Sequence, residues 1–254
     1  MNLNTSQASL LVHRIHERIK IQRSIEVVLA PTMMVLQPLS LQIDRRKFRL
    51  AAQNAFHKDE GPYTGEVSFT QLRDLVHYVI IGHSERRIHF GEDLDMIRDK
   101  VTACVRNDIT PILCVGETKT EHRAGETNQV LHDQITTALH GLTAREVASM
   151  VIAYEPVWAI STFGGELAQP SKIQERFTFI REQISRLYGK KTAKSMRVLY
   201  GGSVDEHLAR GYLEINGCDG VLVGSASLNY HKFSGIINSA YKMLYDKGQA
   251  DEQK

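Results

Sequence analysis

Short apolar runs and four-residue apolar stripes alternate along this chain. Leu11, Ile15 and Ile19 lay one stripe on a helix over residues 6–20. Residues 26–31 then read as a strand, residues 32–44 as a helix and residues 48–53 as a second strand. A polar loop over 54–66 leads to a helix near 69–77, and residues 78–82 are again apolar and short. The pattern repeats with the stripe Leu94, Ile97, Val101 and Val105, the run 112–115, the stripe Leu131, Ile135, Ala138 and Leu139, and the run 150–153. Ile173, Phe177, Ile180, Ile184 and Leu187 mark the clearest helix. Residues 198–200 and 220–223 are the last strands, each trailed by a helix.

Seven strands and eight helices in regular alternation predict a parallel sheet covered by its crossover helices. This is an α/β chain of the (β/α)8 type, counted one strand short at its start. The expectation is that the natural protein carries roughly a dozen further residues before Met1, the length of one strand with its flanks. No glycine- or serine-rich linker divides the chain, so residues 1–254 are expected to be one domain, with the polar tail 246–254 frayed.

Composition narrows the function classes. A net charge of +2 with no dense basic block gives no electrostatic footprint for nucleic acid or an anionic membrane. No run is apolar enough to span a bilayer, and the first residues lack the pattern of a secretion signal. Cys104, Cys114 and Cys218 have no metal-ligand spacing, so a reducing cytoplasm is expected. His13 and His16 lie one helical turn apart, yet no third ligand follows nearby, and no metal is expected there.

Candidate chemistry gathers where strands end. Glu155 closes the run 150–154, and Pro156 removes the next backbone donor, so a carboxylate is set at a strand's carboxyl end. His83 leaves another strand and opens a helix, where backbone N–H groups disfavour a charged imidazole. Gly201, Gly202 and Ser203 follow one of the last two strands, and Gly224, Ser225, Ala226 and Ser227 the other. Small residues there let N–H groups approach an anion. Between Trp158 and Pro170 a run of small residues suits a lid. Cys114 reads as a core residue, and Arg86 and Arg87 as structural ion-pair partners.

With these segments in place the chain resembles the triosephosphate isomerase family. Residues 153–160, 82–87, 200–204 and 222–228 are similar to that family's signatures in the right order, and 53–54, 63–66 and 114–117 fit its third and fifth loops. The resemblance implies that Glu155 removes a carbon-bound proton from dihydroxyacetone phosphate and returns it to the neighbouring carbon, and that His83 polarises the carbonyl. This division between a carboxylate base and a neutral imidazole is known for that family and is borrowed from it. It also implies that Ser161, Ser203, Gly224 and Ser225 offer N–H groups to the phosphate, with Ser84 and Glu85 in support. Thr64, at the tip of the third loop, would reach the partner subunit of a homodimer. No cofactor and no metal are implied.

Two departures from the family pattern stand out. Met1 and Asn2 align with the end of the family's first strand, so its asparagine and lysine precede the chain, and impaired activity of residues 1–254 is expected. The lid reads Ser161, Thr162, Phe163, Gly164, Gly165, Glu166, Leu167, Ala168, where the family has Gly-Thr-Gly-Lys-Thr-Ala, so altered closure is expected. The alternatives are a non-catalytic phosphate-binding or assembly protein and, more remotely, a barrel lyase acting on an aryl-amino sugar phosphate.

Overall fold

The computed structural model describes residues 1–252 apart from Ser161, Thr162 and Gly164, with side chains as far as Asp246. Its centre is a seven-stranded sheet: β1 (Val27–Leu29), β2 (Phe48–Ala52), β3 (Tyr78–Ile81), β4 (Thr110–Val115), β5 (Val151–Tyr154), β6 (Arg197–Tyr200) and β7 (Gly220–Val221). The strands pair in chain order, every pair parallel, so all carboxyl ends face one way. All seven expected strands are present.

Both faces of the sheet are buried, which is why the strands read as apolar runs rather than as alternation. Val79, Ile81, Leu113, Val115, Ile152, Tyr154 and Val198 point outward into the layer shared with the helices. Ile80, Ile112, Cys114, Val151 and Ala153 point inward. Ala30 and Leu222, just beyond the two edge strands, pack on that same inner cluster, so the sheet curls towards a barrel. Each fully buried aliphatic chain here contributes about 1.5–3 kcal/mol.

Twelve α-helices are described: α1 (Thr5–His16), α2 (Met33–Ser40), α3 (Phe69–Leu72), α4 (Ser84–Phe90), α5 (Leu94–Arg106), α6 (Lys119–Ala124), α7 (Thr127–Ala138), α8 (Ala144–Ser149), α9 (Pro170–Tyr188), α10 (Lys190–Ser195), α11 (Ala209–Leu213) and α12 (Tyr230–Glu252). The expected eight omitted α6, α8 and α10, which are too short to show an apolar stripe, and did not count separately α4, the helix that His83 opens. Caps sustain two of them: Thr118 with Glu121 and Thr143 with Glu146 each form a reciprocal capping box. Pro170 opens α9, as its fixed φ favours. The tail from Asp246, expected to fray, continues α12 to Glu252. Its Lys, Gln, Ala and Glu residues are good helix formers, whereas Gly248 and the two Asp residues are poor ones.

Candidate active site at the carboxyl ends of the strands

Glu155 follows β5 directly and is only 2% exposed. Its backbone N–H donates to Val115 O at 2.7 Å, tying it to the end of β4. Two glycines make room for it. A Cβ on Gly116 would lie 1.8 Å from the Glu155 carbonyl oxygen, and one on Gly201 would lie 2.8 Å from Glu155 Cγ. No side chain fits at either position, so the carboxylate is gripped between the backbones that leave β4 and β6.

His83 joins β3 to α4 and caps that helix, its Nδ1 accepting the Glu85 N–H at 3.3 Å. A nitrogen that accepts carries no proton, so the ring's single N–H in the neutral imidazole is at Nε2. Nε2 lies 3.2 Å from Glu155 Oε1. The other carboxylate oxygen, Oε2, accepts the Ser84 N–H at 3.3 Å. Residues 72 positions apart thus meet in one pair. Ser84 is buried beside them, whereas Glu85 is exposed, its carboxylate 4.0 Å from His83 Nδ1.

Burial pushes the Glu155 carboxyl above the ordinary range, because a charge so enclosed loses its hydration. His83, the Ser84 N–H, the Cys114 thiol and the Arg87 guanidinium favour the charged form and offset part of that rise. Cys114 is itself fully enclosed, and burial drives its thiol well above the usual value, which leaves it inert as a nucleophile. A base with a raised pKa, facing a neutral N–H donor across one small gap, can take a proton from carbon while an adjacent carbonyl is polarised.

The small-residue loops after β6 and β7 lie on adjacent strands at this same end. Ser203 departs from expectation. Its N–H and hydroxyl both donate to Ala159 O, at 3.1 and 2.8 Å, so neither is free for an anion in this arrangement. Gly224 leads into a 3-10 turn over Ser225–Leu228, with nothing crowding the glycine within 4 Å of where a Cβ would sit. Ser161 lies outside the described residues.

The start of the segment between Trp158 and Pro170 rests on a carboxylate that the sequence offers only as part of the fifth-loop match. Glu117 is fully buried and accepts from Trp158 Nε1 at 2.8 Å and from the Tyr154 hydroxyl at 3.2 Å, while its carbonyl accepts the Val157 N–H. His122 stacks on Trp158 with ring centroids 4.4 Å apart. Farther along, Phe163 stacks on His89 of α4 at 6.0 Å, and Glu166 pairs with Lys119 of α6.

Other assignments divide. Arg86 pairs with Glu92 as expected, and Glu92 also meets the buried Lys100. Arg87 forms no ion pair among the described residues: it donates to Gly82 O at 2.7 Å and Cys114 O at 3.0 Å, clamping the carboxyl ends of β3 and β4. The buried Tyr200 hydroxyl, over Gly202, finds no partner among the described residues. Arg87 and Glu117 gave no sequence signal of these roles, because Cys114, Tyr154 and Trp158 reach them only through folding. Thr64 is exposed in the loop whose Phe56 and Tyr63 rings pack at 4.6 Å. His16 is 3.2 Å from Glu17 and 3.9 Å from Asp44, and the described residues hold no cluster of three or more groups suited to a metal.

Comparison with known proteins agrees with this geometry. The family profile described as triosephosphate isomerase matches residues 1–240. The chain is 43% identical over 215 residues to a triosephosphate isomerase of Citrifermentans bemidjiense, covering 84% of this chain and 85% of that protein. It is 40% identical over 239 residues to that of Clostridium acetobutylicum (94% and 95%) and 38% identical over 240 residues to that of Dehalococcoides mccartyi (94% and 93%).

Proposed function

The chain belongs to the triosephosphate isomerase family, and from that premise we propose that it interconverts dihydroxyacetone phosphate and D-glyceraldehyde 3-phosphate. The observation that carries this reading is the separation of 3.2 Å between His83 Nε2 and Glu155 Oε1. A three-carbon substrate entering between them presents a C–H to the carboxylate and a carbonyl oxygen to the imidazole. Glu155 takes the proton from one carbon, the electron pair moves to the carbonyl oxygen, and an enediolate forms. His83 donates to that oxygen and moves a proton between the two oxygens. Return of the carried proton to the neighbouring carbon completes the isomerisation. None of these proton transfers calls for a metal or an organic cofactor.

In this reading the N–H groups of Ser161, Ser203, Gly224 and Ser225 hold the phosphate. The Ser203 bonds to Ala159 must then be exchanged, which couples phosphate binding to movement of the segment after Trp158. Ser84 anchors the base, and the Glu85 N–H holds the capping His83 ring in register. Residues 1–254 act as one domain, and Thr64 reaches a second copy of the chain in a homodimer. The enzyme works in the cytoplasm on the triose phosphates of glycolysis and gluconeogenesis. No helix is long and apolar enough to cross a membrane among the described residues.

The test is isomerisation in heavy water. The purified chain, given dihydroxyacetone phosphate, should form glyceraldehyde 3-phosphate carrying solvent deuterium at the carbon that gained the proton. Phosphate-ester binding without turnover or exchange would instead favour a non-catalytic protein and overturn the proposal.

A further inference from the structure

Gln134 lies in α7, outside the sheet, and is 8% exposed. Its side-chain amide spends both its functions on one residue: Oε1 accepts the Gly116 N–H at 2.8 Å, and Nε2 donates to Gly116 O at 3.1 Å. The amide thus replaces the strand neighbour that Gly116 loses where β4 stops. This double bond to one peptide position leaves Gly116 little freedom to rotate or slide.

Gly116 also lies hard against the backbone of Glu155. The position of its absent Cβ is 1.8 Å from Glu155 O and 2.5 Å from Glu155 C. The preceding residue, Val115, receives the Glu155 N–H at 2.7 Å. On the opposite flank Gly201 abuts Glu155 Cγ, and its N–H donates to Tyr154 O at 2.8 Å. The base is therefore gripped from both sides. On the β4 side the grip is braced by Gln134.

We propose that Gln134 is a positioning residue for the base: its paired amide fixes Gly116, and Gly116 sets where the backbone of Glu155 can lie. Gln134 hydrogen-bonds to neither His83 nor Glu155. The inference rests on the isomerase reading above and goes beyond it, since it assigns part of the base's alignment to a helix outside the barrel. A plain structural role for the amide, satisfying a loop's backbone groups, would cost stability and leave the turnover of folded protein unchanged. Misplacement of a base by about 1 Å costs on the order of 100-fold in rate, and a loosened brace should forfeit a share of that.

The experiment compares the full-length parent, Gln134→Met and Gln134→Glu, each checked for folding by circular dichroism and thermal melting. Gln134→Met keeps the volume and removes both bonds; kcat should fall by roughly 10-fold or more while KM stays within about 2-fold. Gln134→Glu adds a pH signature. Its buried carboxylate accepts from Gly116 N–H but repels Gly116 O, whereas the protonated acid donates to that oxygen again. The ratio of its kcat to the parent's should therefore rise as pH falls. Folded Gln134→Met with parental kcat would overturn the inference, as would a Gln134→Glu ratio independent of pH. Should Gln134→Met not fold, the isosteric Gln134→Glu decides alone. A parent that turns over no triose phosphate overturns the functional reading and this inference with it; an active parent with unaffected variants overturns this inference only.

Discussion

The two rims of the sheet hold carboxylates in opposite circumstances. At the carboxyl end Glu155 is almost completely enclosed and faces the His83 imidazole, one backbone N–H and a thiol, with no Lys or Arg paired to it among the described residues. At the amino end Glu26 keeps 38% of its side chain exposed, with Arg49 at 3.8 Å, Arg197 at 3.9 Å and the Tyr78 hydroxyl against it. Water and two guanidinium groups compensate the second charge. The first is only partly compensated, and burial dominates its titration. An under-compensated carboxylate lowers stability and gains basicity, which is the trade expected of a catalytic base. Glu26 marks the rim where charge serves cohesion.

The most severe way to break the contrast is Glu155→Gln. Activity should fall by roughly 1,000-fold or more, because the amide cannot accept a proton from carbon. Stability should move the other way. A carboxyl whose folded-state pKa is raised favours the native form below its ordinary value, about 4.3, and loses that contribution as pH rises through the raised value. The Tm of Glu155→Gln should therefore exceed the parent's near neutral pH, with the gain fading in acid. Melting curves across pH would refute the account if the variant were the less stable at neutral pH.

His83→Gln comes next. The substitution removes the Nε2–H donor and leaves the base in place, so kcat should drop by about 100-fold. Steady-state kinetics in which only KM changed would remove His83 from the chemistry. The parent's own profile sharpens the same point, for the acidic limb of kcat/KM should lie above the ordinary Glu value. A limb at or below about 4.3 would mean that burial does not govern the base.

Glu26→Gln is the smallest perturbation. Exposed pairs contribute about 0–1 kcal/mol, so a small loss of Tm with unchanged kcat is expected. A large loss of activity would erase the distinction between the rims.

Much of this architecture was legible as local pattern. The helix stripes and doubly buried strands appear in sequence because their periods, 3.6 residues and short apolar runs, are set within a few positions. Glu155 before Pro156 and His83 before a helix were likewise local signals. Three short helices, α6, α8 and α10, leave no such trace because one or two turns show no stripe. Arg87 was taken for an ion-pair partner, since a sequence offers carboxylates nearby and hides carbonyl oxygens brought in by folding. The resemblance implies a Ser203 N–H offered to phosphate, and only the folded chain shows that group donating to Ala159 O.

The linear order of residues was enough to determine the strand count, the parallel arrangement and the identity of the carboxylate and imidazole that meet. Tertiary structure decided why they can meet. Gly116 and Gly201 must lack side chains because Glu155 occupies that space, and Gln134 holds Gly116 across 18 residues. The physical reason is range: periodicity and chain direction act over one or two turns, whereas excluded volume, desolvation and amide pairing depend on distances that exist only once the sheet has curled.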